Sequence, residues 1–74
     1  MWREITEARY LEMLNILPPV AECMLGFLVG EPSDHTTEGR PRYTAFARTH
    51  GKHFESTEPL TVATWRTVRP SEIA

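Results

Sequence analysis

The chain has one cysteine, Cys23, in 74 residues. A disulfide within the chain is therefore excluded, and a lone thiol fits a reducing cytoplasm. No apolar run approaches the roughly 18 residues that a membrane span needs. The opening "MWREITEARY" is charged and lacks an apolar h-region, so no signal peptide is expected there. Glycine is scarce, with four in all. Around Gly26 and Gly30 there is no GxGxxG and no lysine at P-loop spacing, which removes phosphate-loop chemistry. These two read as turn or close-approach glycines. Repeats and low-complexity segments are also missing. Length is short as well, which sets a single domain over residues 1–74. A chain of this size buries only about 60% of the surface its unfolded form exposes. Ordering it costs on the order of 100 kcal/mol of conformational entropy. With disulfides excluded, a metal or a second copy is left to supplement the core, and a homodimer is expected.

What is present suffices for a globular core, since 41% of residues are hydrophobic. The net charge of −2 hides an asymmetry. Residues 1–38 carry two arginines against seven acids, a net of −5. Residues 39–70 carry five arginines and Lys52 against Glu55 and Glu58, a net of +4. Such a division suggests a polar interaction surface, or two halves that attract each other.

Local signals divide the chain into elements. Thr6 is a good N-cap, Glu7 places a carboxylate in the first turn, and Ile5 and Tyr10 have hydrophobic-staple spacing. Tyr10, Met13, Leu14 and Leu17 recur on one apolar helical face, and Pro18 and Pro19 stop the helix. Residues 20–25 read as an irregular connector. "GFLV" (26–29) reads as a strand apolar on both faces, followed by a loop from Glu31 to Gly39. "RPRYTAFART" and "KHFEST" read as two further strands joined at His50–Gly51, where glycine supplies the positive φ of a tight hairpin. Pro41 belongs at a strand's beginning or edge. Thr61 caps a last helix, with Leu60 and Trp65 as its staple. Val62, Trp65 and Val68 share one face, Arg66 and Arg69 lie near the C-terminal end, and Pro70 terminates it. The expected fold is α+β in the order α-β-β-β-α. It is a three-stranded antiparallel sheet packed by two helices on one face. Tyr10, Leu14, Leu17, Phe27, Val29, Phe54, Leu60, Trp65 and Val68 should supply the core.

"LNILPP" (14–19), "GFLVGEPSDH" (26–35), "FARTHGKHFES" (46–56) and "EPLTVATWR" (58–66) follow one another in this order. Together they resemble a small family of uncharacterised proteins, a domain of unknown function carried mostly on bacterial plasmids and prophages. The resemblance covers nearly the whole chain. "LPP" and "GEP-x-DH" are its more specific elements. In the family the last helix begins with an acid at its third position; Thr64 stands there in this chain, which weakens the cap. The resemblance implies a setting rather than an activity. Small single-domain proteins on mobile elements act by stoichiometric contact with host machinery, for example as inhibitors of CRISPR or restriction systems.

Several groups carry chemistry in principle. Glu31, Asp34 and His35 are a carboxylate–imidazole set that binds a divalent cation if His50 or His53 joins it. Residues i and i+3 of a strand face opposite sides, so His50 and His53 share a metal only if the backbone bends. The plainer reading is a solvated loop with Asp34 capping a turn. Ser33, Asp34 and His35 spell a hydrolase triad by letters alone, but three adjacent residues cannot orient one another as a triad requires. Cys23 has no neighbouring cation in sequence to lower its pKa and reads as a buried or partly buried structural thiol. Arg40, Arg42, Arg48 and Lys52 alternate with Tyr43, Phe46 and Phe54. That pattern suits a nucleic-acid backbone with stacked bases, or one amphipathic hairpin with the aromatics inward. The acidic pI of 5.9 favours the second. The expectation is a non-enzymatic binding protein with no cofactor and a protein partner, such as a host defence complex. A nucleic-acid accessory or a metal-binding domain is the alternative. The contact surface is placed at Glu31, Asp34, His35, Glu38, Arg42 and Tyr43.

Overall fold

The computed structural model describes residues 1–73. The elements are β1 (Trp2–Ile5), α1 (Glu7–Ile16), β2 (Ala21–Cys23), β3 (Gly26–Leu28), β4 (Asp34–His35), β5 (Pro41–Arg42), β6 (Ala45–Thr49), β7 (Lys52–Ser56), α2 (Val62–Thr67) and α3 (Pro70–Ile73). Five strands form an antiparallel sheet in the order β1-β7-β6-β3-β2, and β4 and β5 form a separate two-stranded sheet.

The α+β class therefore stands, but the order α-β-β-β-α and the three-stranded sheet with two helices on one face are corrected. Pro70, expected to end the last helix, instead opens a third, α3, as a proline fits the first turn of a helix. The main sheet has two further strands, one at each edge. β1 was hidden because "WREI" is half charged. Its charges are answered across the sheet: Arg3 pairs with Glu55, and Glu4 lies 4.0 Å from Lys52. β2 lies in the stretch read as a connector, and with three residues it is too short for an alternation to show. The long second strand is also broken. β5 ends at Arg42 and β6 begins at Ala45, and between them Tyr43 forms a bridge with Leu60.

The helices lie on opposite faces because the central strands are apolar on consecutive residues. Phe27 and Phe46 are cross-strand partners on one face. They meet Tyr10 of α1, with Ile5, Met13 and Leu17 around them. Leu28, Ala45, Ala47 and Phe54 point the other way and pack with Trp65 of α2 and Ile73 of α3. Burying both faces gives three layers. Tyr10 meets Phe27 edge-on and Phe27 stacks on Phe46, each at 5.5 Å between ring centroids. On the other side Trp2 lies against Trp65 at 6.0 Å.

The local signals at the helix ends hold. The Thr6 hydroxyl accepts from the Arg9 N–H and the Thr61 hydroxyl from the Thr64 N–H. Of the expected core, Tyr10, Phe27, Val29, Phe54 and Trp65 are buried, while Leu17, Leu60 and Val68 are half-buried. Leu14 is a correction, since it is 39% exposed. Tyr10, Met13 and Leu17 fill the face of α1 that meets the sheet, and Arg9, on the Met13 flank, bonds to Glu55 of β7. Leu14, on the other flank of the apolar stripe, is turned outward. The β6–β7 turn holds His50 at φ 55 and Gly51 at φ 72, the two positive values of a type I′ hairpin.

Candidate functional site

The segment from Glu31 to Arg42 leaves the sheet after β3 and returns before β6. It has no buried residue, yet it is ordered by its own bonds. Asp34 stands opposite Arg42, and His35 opposite Pro41. The Ser33 N–H donates to the Arg42 carbonyl at 2.7 Å and the Thr36 N–H to the Arg40 carbonyl at 2.8 Å. The Arg40 N–H donates to the Thr36 hydroxyl at 3.1 Å. Where a plain loop was expected, the chain makes a small hairpin. Proline at 41 is compatible with it, because this two-stranded sheet consists of edges only.

A charged clamp holds the hairpin shut. Arg42 Nε donates to Asp34 Oδ1 and Nη2 to Oδ2, each at 2.7 Å. This is the bidentate guanidinium–carboxylate fork, the strongest geometry available to a surface pair. The Arg42 hydrogen bond holds the Asp34 carboxyl below its ordinary value, and the same bond raises Arg42. Glu38 is also lowered, by hydrogen bonds from its own backbone and from Thr36 and Thr37. Glu38, Arg40 and His35 remain exposed around the turn.

The proposed surface residues thus fall into three groups. Asp34 and Arg42 meet and neutralise each other. Glu31, His35 and Glu38 are exposed, and Glu31 sits on the rim of a pocket of about 240 Å³ floored by Val29 and Phe46. Tyr43 is half-buried and packs against the α2-side core, with its backbone tied to Leu60 by two hydrogen bonds of 2.7 Å. It anchors the base of the hairpin.

The other candidates are dispersed. Among the described residues no three His, Cys, Asp or Glu side chains gather in a metal-binding cluster. His50 lies in the β6–β7 turn beside the Thr49 hydroxyl, and His53 lies against the Tyr10 ring at 4.9 Å. Phe46 and Phe54 are buried on opposite faces, so they offer no platform for bases beside Arg48 and Lys52. Cys23 is exposed at the sheet edge, not buried.

One polar cluster was missed. Glu55 is 5% exposed and accepts from Arg3 on one oxygen and from Arg9 Nε and Nη2 on the other, the latter at 3.1 and 2.8 Å. Burial pushes this carboxyl up, but the hydrogen bonds and charges of the two arginines outweigh it, and the net shift is downward. The charge division gave only a faint signal: Arg3 and Arg9 are the two bases in the acidic half, and Glu55 is one of two acids in the basic half, with Glu58. The halves attract as expected through Asp34–Arg42 and, in this buried cluster, with the signs exchanged.

Comparison with protein-family models, with curated proteins and with solved structures finds no match to this chain.

Proposed function

We propose that this chain is a non-enzymatic binding protein that acts by stoichiometric contact with a protein partner, through the β4–β5 hairpin. The observation that supports this reading is the Asp34–Arg42 clamp. A segment with no part in the core is nevertheless held in one conformation, with charges of both signs displayed around its turn. Ordering a loop on binding costs roughly 0.5–1.5 kcal/mol per immobilised side chain, and a pre-ordered hairpin avoids much of that. Exposed charges of mixed sign set partner choice and orientation. The resemblance to mobile-element proteins adds the class of partner, a host defence complex such as a CRISPR effector, which the chain would inhibit.

The test is a tagged pull-down from the native host, followed by surface variants. Glu31→Arg with Glu38→Arg leaves the Asp34–Arg42 clamp intact, and should weaken capture of the partner at least tenfold with an unchanged melting temperature. The exchange Asp34→Arg with Arg42→Asp rebuilds the clamp with its charges reversed, and should also weaken capture. Capture that survives both changes would move the site off the hairpin, and the exposed acids Glu7 and Glu12 of α1 would be tested next; Glu4 lies apart from them on β1, beside Lys52. Binding to nucleic acid that falls steeply with salt and with Arg40→Glu or Arg48→Glu would instead favour a nucleic-acid accessory.

A further inference from the structure

The two edges of the main sheet are treated differently. β1 presents Arg3 and Glu4, both engaged with β7 side chains. Charge on an edge strand is a usual guard against strand addition. β2, at the far edge, is bonded only to β3 and carries a single charge, Glu22. Its flanks are apolar and open: Val20 before it is 41% exposed and Met24 after it is fully exposed.

Two grooves open at the β2–β3 turn end of this edge, one on the α1 side and one on the α2 side. Cys23 and Met24 form the ridge between them. On the α1 side a groove of about 340 Å³ is lined by Tyr10, Leu14 and Phe27, with Glu22 and Arg48 at its sides. The half-open Leu14 of α1 forms one wall of this groove. On the α2 side a groove of about 390 Å³ is lined by Leu25, Val68 and Pro70, with Arg66 and Arg69. Neither arginine makes an ion pair among the described residues.

An unpaired ladder between two grooves is the form of a strand acceptor. An added strand takes main-chain hydrogen bonds from the edge, and its side chains alternate between the two faces. We propose that β2 accepts an extended segment of a partner protein, with apolar side chains lying over the exposed Leu14 on the α1 side and acidic side chains meeting Arg66 and Arg69 on the α2 side. Charge decides the occupant. A second copy paired over all three β2 residues would set Glu22 directly against its own counterpart, and like charges directly opposite are destabilising. A foreign acidic strand meets the two arginines instead. The site lies at the opposite end of the sheet from the β4–β5 hairpin, since β3 starts at the β2 turn and ends at the hairpin. It stands independently of the hairpin reading.

The experiment is an amide NMR titration of the whole chain with capped octapeptides. A peptide of alternating valine and glutamate should shift the Ala21, Glu22 and Cys23 amides. The alternating valine–lysine peptide should bind at least tenfold more weakly. Arg66→Glu with Arg69→Glu, both exposed positions, should invert that preference. Methylating alternate peptide nitrogens should abolish binding, a readout independent of any variant's folding. Equal affinity for both peptides, or shifts that avoid β2, would overturn the proposal. So would a free chain that is already a dimer with exchange-protected β2 amides, since a second copy would then cover the edge.

Discussion

Trp65 has no exposed surface, and its indole Nε1 has no hydrogen-bond partner. These facts pull in opposite directions. Trp65→Ala removes the largest fully buried side chain and should cost about 3–5 kcal/mol, read from the urea midpoint. Trp65→Phe keeps most of the packing and removes an unbonded N–H whose burial costs about 1–3 kcal/mol. It should therefore cost far less than the alanine variant, and equal losses would mean that the N–H is bonded in solution. His50 tells of backbone cost. Its φ of 55 is a left-handed conformation that asparagine tolerates better. His50→Asn should stabilise by up to about 1 kcal/mol, raising the melting temperature by up to about 4–8 °C. The lost contact to the Thr49 hydroxyl is exposed and offsets little.

Gly26 shows how tightly the elements approach. A Cβ there would lie 1.9 Å from the Phe46 carbonyl oxygen of the neighbouring strand. No rotamer relieves a clash with backbone, so Gly26→Ala should cost about 3 kcal/mol, the upper end for overpacking, and circular dichroism melting would show it. Glu55 joins β1, α1 and β7 through Arg3 and Arg9. Glu55→Gln should cost about 1–3 kcal/mol at neutral pH, discounted because both arginines are half-open to water. The sign with pH follows from the lowered carboxyl. The contribution is complete above the unfolded glutamate's value of about 4.3, and is lost as the pH falls through the lower folded value. The glutamine variant should therefore show a flatter stability profile between about pH 5 and pH 2 than the parent. The helix caps at Thr6 and Thr61, the stop of α1 before Pro18 and the His50–Gly51 turn were legible in the sequence, whereas Pro70, read as a stop, opens α3. Each depends on neighbours within a few residues. The hairpin clamp was half legible: Asp34 and Arg42 were both singled out, but as separate surface charges rather than as each other's partners. The Glu55 cluster was not legible, because its members stand 46 and 52 positions apart.

At the scale of the whole molecule, the first five residues supply one edge of the sheet. β1 pairs Trp2–Ile5 with Ser56–His53, lays Trp2 on Trp65 and delivers Arg3 to Glu55. A chain lacking residues 1–5 should lose its cooperative thermal transition and its near-ultraviolet signal, and retention of both would show that β1 is an accessory strand. The sequence by itself determined the α+β class, the caps of the first two helices, the stop of the first, β3, the β6–β7 hairpin and most of the buried aromatics, because periodicity, capping and turn chemistry act over a few residues. Only the tertiary structure decided that the sheet has five strands, that α1 and α2 cover opposite faces, and that Leu14 faces water. It also decided that β2 is left as an open edge. Those outcomes depend on which surfaces meet across the fold: a strand as charged as β1 pairs where β7 answers its charges, and Leu14 stays outside because Tyr10, Met13 and Leu17 already fill the face of α1 that meets the sheet.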